Sequence, residues 1–460
     1  MRPVRVKKLG GRTVVDTIVP SAEVRGRLAL GARLLYASGH FGVSALAFAV
    51  MQYIGYFWAG SPERGLPPRV DVGLMGLALL VGRFLDAAVD PLVGFLSDSV
   101  RTPWGRRKPF IAVGALPLTA AFALLWWSPA QTPTGLNFAY LLLLLSVFYV
   151  SFTIVTCPYL ALLPEIATSD RERVGLASLQ AVFNVLGNIA GAVVGGLLIQ
   201  NQATGFLGMG IIIGVASVVT FVLALAGPGE KLESLREAPQ ALGMREAFKQ
   251  TFSNRPFLHY AAAFMVFWIG LSVVIANETF IATELLGRKE ADAGLLTGVA
   301  LIAAALCVPL TAKVTAAWGK RRVFLVSLAW FAVLAPLIGL VGLAPLPIGG
   351  FAQAVVLMAI AGPPISGLLV MPYAIVADIT DEDERATGRR REAMYFGVNA
   401  FVYKAGLALG GAVAAFVWKL LGHTAAQPLG LRLSGAVAAA FTVIGICVFL
   451  GFRLESRQTD

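Results

Sequence analysis

The sequence predicts an all-α integral membrane protein with twelve transmembrane helices arranged as two pseudo-symmetric six-helix halves. Three observations lead there. Hydrophobic residues make up 57% of the 460, charged residues only 14%, and the mean hydropathy is +0.76, outside the range of a water-soluble domain. Twelve stretches are mainly apolar over the roughly 20 residues that a bilayer crossing needs. Several short motifs also recur at one offset, 214 residues.

The stretches lie near 29–57, 72–96, 109–128, 137–163, 174–199, 207–227, 256–283, 293–317, 323–343, 351–377, 393–420 and 434–452. An even number of crossings puts both chain ends on one side. The first 28 residues carry seven Lys and Arg and no apolar run, so a basic cytoplasmic tail is expected rather than a cleaved leader, with the first helix as insertion signal. Of the 37 Lys and Arg, 28 fall in tails, loops and helix ends on the side of the termini. Six fall on the other side, and Arg33, Arg83 and Lys404 lie within helices. This is the positive-inside pattern. It predicts an inner-membrane protein with cytoplasmic N- and C-termini, and it accounts for the net charge of +11 without a nucleic-acid partner.

The repeat defines the domains. Trp104-Gly105-Arg106-Arg107-Lys108 returns as Trp318-Gly319-Lys320-Arg321-Arg322, Pro158-Tyr159 as Pro372-Tyr373, and Asp170-Arg171 as Glu384-Arg385. The expected organisation is a tail at 1–28, an N-terminal bundle at 29–227, a charged cytoplasmic linker at 228–255, a C-terminal bundle at 256–453 and a tail at 454–460. Transporters built from such repeats hold their substrate near the midplane and rock one half against the other.

The stretch 83–108, RFLDAAVDPLVGFLSDSVRTPWGRRK, carries the sharpest chemistry. Asp86 and Asp90 stand four residues apart, on one helix face and about 6 Å apart along the axis. At bilayer depth each ionised carboxylate costs roughly 2.5–3.5 kcal/mol. A structural ion pair with Arg83, one turn away, is one reading. One arginine does not neutralise two acids, however, and a hard cation such as Na+ takes several oxygens, so a cation site is the favoured reading. Lys404 sits twelve residues into the eleventh stretch, too deep to snorkel, and calls for an acid on another helix.

Other polar residues admit two uses. Gln52, Asn184, Asn188 and Asn399 suit either sugar hydroxyls or interhelical hydrogen bonds. His40 suits solute binding, a proton relay or simple packing. Asn277 and Glu278 either face a cavity or reach the interface. Trp268 suits stacking on a sugar ring or a lipid-facing position. The loop 378–391 turns from acidic, beginning with Asp378, to basic, beginning with Arg385. With Arg106, Arg107, Arg171, Arg173, Arg321 and Arg322 it reads as a cytoplasmic gate that forms only in the outward-facing state, or as solvated charge. Glycines crowd the fifth and eleventh helices, where Gly191 and Gly410 read as moving contacts. Three scattered histidines, three cysteines without CxxC spacing, and no HExxH or GxSxG exclude a hydrolytic or zinc constellation. No enzyme activity, no cofactor and no metal beyond a coupling Na+ are expected.

These motifs also carry a resemblance. RFLDAAVDPLVGFLSD followed by WGRRKPF, then CPYLALLPEIATSDRER, then MPYAIVADITDEDERATGRRREAMYFG resemble the major facilitator superfamily. Within it they resemble the glycoside–pentoside–hexuronide:cation symporters, the melibiose permease-like group. The resemblance implies that Asp86 and Asp90 hold the coupling cation, Na+ or H+, with the Thr153 hydroxyl alongside and Lys404 close by. It implies symport of a sugar or glycoside by a monomer, with Tyr373 among the cavity residues. Ser44 and Thr156 stand where galactoside-binding members carry aspartates, so the melibiose-type clamp is absent. A lysophospholipid-like amphiphile is the alternative cargo, since sodium-coupled lysophospholipid carriers resemble the same family.

Overall fold

Twelve helical rods make up the computed structural model, which describes residues 7–9, 12–14, 28–167, 169–201, 203–229, 253–343, 347–388 and 392–452. In chain order they are α1 (Leu30–Ala59), α2 (Val72–Ser99), α3 (Lys108–Leu124), α4 (Gly135–Ile166), α5 (Asp170–Ile189, extended through Gly195–Gln200) and α6 (Gly205–Ala226). The second set is α7 (Arg255–Phe280), α8 (Glu290–Trp318), α9 (Lys320–Leu337), α10 (Gly350–Ile360 and Gly362–Thr387), α11 (Glu392–Leu421) and α12 (Leu429–Leu450). Eleven of the rods are long and apolar enough to cross a bilayer, and α3 is a shorter apolar helix. The basic tail contributes one small antiparallel strand pair, Lys7–Leu9 with Arg12–Val14. The linker residues 230–252 and the tail 454–460 lie outside the described residues.

Local chemistry sets the helix ends. Asp71 caps α2 by accepting from Gly73 N and Leu74 N, Thr134 caps α4, and Asn254 caps α7 through Phe257 N, each meeting amides that have no partner in the first turn. The repeated Trp-Gly pair is a turn device. Gly105 and Gly319 both adopt positive φ, 101° and 80°, a conformation that costs glycine least.

The same neighbours recur in each half. In the first, α1 packs on α5 and α6, α2 on α4, and α3 on α4 and α6. In the second, α7 packs on α11 and α12, α8 on α10, and α9 on α10 and α12. The halves meet along two related seams, α2 with α11 and α5 with α8, and where α1 meets α7. The side away from the chain termini is called distal below.

Three departures from the sequence reading bear on the site. Helix α10 runs to Thr387, so most of the acidic part of the expected loop 378–391 is helical. Two rods contain π-helical turns, Ala190–Val194 in α5 and Ile281–Leu285 after α7, and both lie where the halves meet on the distal side; such turns are frequent at functional positions. Gly191 and Gly410 are not contacts between the halves. Gly191 packs on Ala45 and Phe48 of α1, and Gly410 on Ile269 and Ser272 of α7, each within its own half.

A buried ammonium–carboxylate site between the halves

Asp86 and Asp90 share a face of α2, and α4 brings the Thr153 hydroxyl to them. Thr153 Oγ1 lies 2.5 Å from Asp86 Oδ1 and 3.2 Å from Asp90 Oδ1. From the other half, α11 brings Lys404, whose Nζ lies 2.9 Å from Asp86 Oδ1 and 2.8 Å from both oxygens of Asp90. The Asp86 side chain is fully enclosed, that of Asp90 is 30% exposed and that of Lys404 14%. Arg83 completes the cluster, with Nη1 3.9 Å from Asp86 Oδ2 and its guanidinium 4.4 Å from the centre of the Tyr149 ring.

Two acids therefore meet two bases. The sequence argument that Arg83 alone leaves a carboxylate uncompensated needs this correction: Lys404 supplies the second positive charge. Asp86 Oδ2 is buried with no hydrogen-bond partner and lies 3.9 Å from Arg83 Nη1, so the cluster gathers four carboxylate oxygens and the Thr153 hydroxyl. That is the hard, oxygen-rich set a small monovalent cation takes. Replacing one partner of such a buried pair is costly, because the other charge is left in a low dielectric.

The other sequence candidates divide into two groups. On α1 and α5, Asn184 Nδ2 donates to Ser44 Oγ at 2.9 Å, and Asn188 Nδ2 to Asn184 Oδ1 at 3.1 Å, a chain of neutral polar groups. His40 Nδ1 and Trp268 Nε1 are buried without a partner. The Trp268 ring sits edge-on to Tyr403 with centroids 4.5 Å apart. Thr156 is buried, and Tyr373 is 64% exposed. The second group is committed to protein. Asn399 accepts from Tyr260, and Asn277 accepts from Trp418 Nε1 at 2.7 Å. Gln52 donates to Thr297 at 3.1 Å, and Thr297 lies 2.6 Å from Glu278 Oε2. Gln52, Asn277 and Glu278 thus each make a hydrogen bond between helices or to a neighbouring side chain.

The charged groups near the termini pair inside their own halves. Arg106 and Arg107 reach Glu165 at 2.9 and 3.2 Å, and Arg107 also pairs with Asp98. Asp378 pairs with Lys320 at 2.6 Å. Arg321 donates to Phe452 O and Leu450 O, Arg173 to Ala167 O, and Arg322 and Arg385 are exposed. The Arg171 side chain lies outside the described residues.

On the distal side the pattern reverses, and sequence reasoning missed most of it. Tyr56 reaches Glu290, Ser61 reaches Glu284 at 2.5 Å, Ala426 N donates to Glu63, Lys419 pairs with Asp71 at 3.2 Å, and Arg64 donates to Thr283 O and Arg288 O. Every one of these joins the two halves. Among the described residues, no hydrogen bond or ion pair joins them at the terminal end. The polar ties between the halves thus cluster on the distal side and at Lys404.

Known proteins share this plan. Residues 35–454 match the family described as MFS/sugar transport protein. The inner membrane symporter YicJ of Escherichia coli is 27% identical over 89% of this chain and 87% of its own. The glucuronide carrier protein homolog of the same organism is 25% identical over 85% and 86%. The sodium-dependent lysophosphatidylcholine symporter 1-A of Danio rerio is 21% identical over 83% and 79%. Among solved structures, the nucleoside transporter NupG superposes with a TM-score of 0.68 at 15% identity, covering 92% of this chain and all of that one.

Proposed function

Because the chain belongs to the MFS/sugar transport proteins and, within the major facilitator superfamily, to the glycoside–pentoside–hexuronide group, we propose that it is a cation-coupled symporter carrying a sugar or glycoside by alternating access. The Lys and Arg imbalance makes the terminal side the cytoplasm of an inner-membrane protein and the distal side the periplasm. The ties between the halves on the periplasmic side fit an inward-facing conformation.

One observation carries the reading: the Lys404 ammonium sits among Asp86, Asp90 and Thr153 from across the seam. Two carboxylates balanced by Lys404 and Arg83 make a neutral site. A sodium ion or proton entering it displaces Lys404 rather than adding to it, because a third positive charge in a buried site is unfavourable. Displacement also removes the ionic tie between α2 and α11 at membrane depth, leaving the distal Lys419–Asp71 pair. The cation thus has different contacts in the two states, which is what coupling requires. Arg83 is the positioning residue, with its guanidinium 3.9 Å from Asp86 Oδ2 beside the exchange point.

For the solute, the Ser44–Asn184–Asn188 chain, Thr156 and the unpartnered His40 Nδ1 and Trp268 Nε1 offer donors and acceptors without net charge, as sugar hydroxyls need. The absence of acids at 44 and 156 and the lysophosphatidylcholine relative favour an amphiphile as the second reading. Reconstituted vesicles decide both. With an imposed sodium or proton gradient and a panel of labelled sugars and lysophospholipids, the parent accumulates one class uphill. Asp90→Asn is expected to lose accumulation while keeping some exchange. An Asp90→Asn protein that concentrates solute like the parent puts the cation elsewhere.

A further inference from the structure

Glu278 is an acid the cation site does not use. It lies on α7 and is 6% exposed. Its Oε2 meets Thr297 Oγ1 of α8 at 2.6 Å, and Thr297 in turn accepts from Gln52 Nε2 of α1 at 3.1 Å. Thr279 Oγ1 holds the Gln52 backbone carbonyl at 3.3 Å. The carboxyl is therefore linked through Thr297 to a side chain from the opposite half.

The groups around it supply no cation. From α1 come Tyr53, whose hydroxyl donates to Ala192 O, and Tyr56, whose hydroxyl goes to Glu290 of α8. On α7 and its π turn, Asn277 is taken by Trp418 of α11, and Glu284 by Ser61 and Ala425 N. His423, after α11, packs on Phe280. Arg64 is held by carbonyls, and Arg288 pairs with Asp292. Beyond α7, a small cavity beside the carboxyl is lined by Val274, Leu296, Ile338 and Met358. Among the described residues no ion pair reaches Glu278. An ionised carboxylate is out of place there, whereas a protonated one fits: it donates to Thr297 Oγ1, and Thr297 donates to Ala293 O at 3.3 Å.

Resting on the alternating-access reading above, we infer that Glu278 is a proton-binding site of the periplasmic seam. Its carboxyl takes a proton from periplasmic water as the halves close and returns it to the same water as they part. No net proton crosses the membrane. Acidifying the periplasmic side favours the closed seam, because the closed form binds the extra proton, by up to about tenfold per pH unit. This couples the cycle to external pH independently of the ion exchanged at Asp86 and Asp90.

The test is a distance measurement across the distal face. Spin labels at Gln131→Cys and Ile348→Cys, both exposed, are placed in a chain whose Cys157, Cys307 and Cys447 are changed to serine, reconstituted in lipid nanodiscs. Between pH 8 and pH 5 the short-distance population of the parent is expected to grow severalfold, and Glu278→Gln to stay short throughout. A parent distribution that ignores pH overturns the inference, as does a Glu278→Gln distribution that follows pH like the parent. Asp90→Asn separates the two readings: it keeps the pH response while losing sodium-driven uptake. A pH response lost in Asp90→Asn and kept in Glu278→Gln moves the proton to the cation site. If Glu278→Gln fails to fold, Thr297→Val, which removes the hydroxyl partner, is expected to shift the transition in pH.

Discussion

The two seams that join the halves are related by the repeat, yet they are built from different chemistry. Where α2 meets α11, small-residue contacts such as Gly76 on Ala415 give way at membrane depth to Lys404 with Asp86 and Asp90, and end distally in Lys419 with Asp71. Where α5 meets α8, the contact is steric. Gly294 lies against the backbone of Ala192 and Val193, inside the π turn, and Gly196 against the backbone of Glu290 and Ala291. A charged seam responds to an arriving ion, and a close-packed one does not. On the proposed function, the asymmetry gives one seam the means to sense the coupling cation and leaves the other as a contact that is either formed or broken.

The largest expected effect breaks the charged seam. Lys404→Ala leaves two carboxylates facing each other with only Arg83 nearby, at a cost of about 3–5 kcal/mol for a buried pair stripped of one partner. Thermal unfolding without sodium is expected to fall sharply. Added sodium is expected to restore more stability to the variant than to the parent, because the ion takes the place the ammonium held. Equal sodium effects in the two proteins would mean that ion and ammonium do not compete.

Next is the steric seam. Gly294→Leu puts a side chain where the backbone of α5 already lies, so the distal side is expected not to close. Transport is expected to drop to background, with cation binding, followed by sodium-induced stabilisation, within about threefold of the parent, a free-energy change under 1 kcal/mol. By contrast, Gly410→Leu and Gly191→Leu overfill packing inside one half. They are expected to cost stability, about 1–3 kcal/mol, rather than to act on the cycle alone.

The contrast between the seams was only partly legible in the chain. Helix number, the two halves and the Asp86–Asp90 face follow from hydropathy, the repeat and a spacing of four, all of which are local or periodic. Lys404 announced that it needed an acid, but a helix pattern does not say which neighbour supplies it. The pairing of Asn277 with Trp418, and of Gln52 with Thr297 and Glu278, depends on how helices are rotated against one another, for which sequence spacing holds no signal. Asp378 illustrates a further limit. Its partner is Lys320 of the repeated Trp-Gly-Lys turn, a pairing that the repeat alone does not announce. Glycine crowding points to close approach but not to which helix approaches: Gly191 and Gly410 pack within their own halves, and Gly196 and Gly294 meet across them.

The smallest expected effect concerns the distal end of the charged seam. Asp71 has two roles there: it caps α2 through Gly73 N and Leu74 N, and it meets Lys419 at 3.2 Å. Partial burial works against its charge, but the Leu74 amide and Lys419 outweigh that and hold the carboxyl below its ordinary value. Both side chains of the pair are about half exposed, so solvent screening limits the ionic part to about 0–1 kcal/mol. Asp71→Asn keeps an oxygen for the cap and removes the charge, so it is expected to cost a few tenths of a kcal/mol. Asp71→Ala removes both, at about 0.5–2 kcal/mol. The sign of the pH dependence follows from the lowered carboxyl: its contribution is complete above the unfolded-state value and is lost as pH falls through the folded-state value. Unfolding measured in acid is therefore expected to bring the parent and Asp71→Asn together while Asp71→Ala stays lower. A large gap between parent and Asp71→Asn at neutral pH would mean that the charged seam is held at its rim, and not only at Lys404.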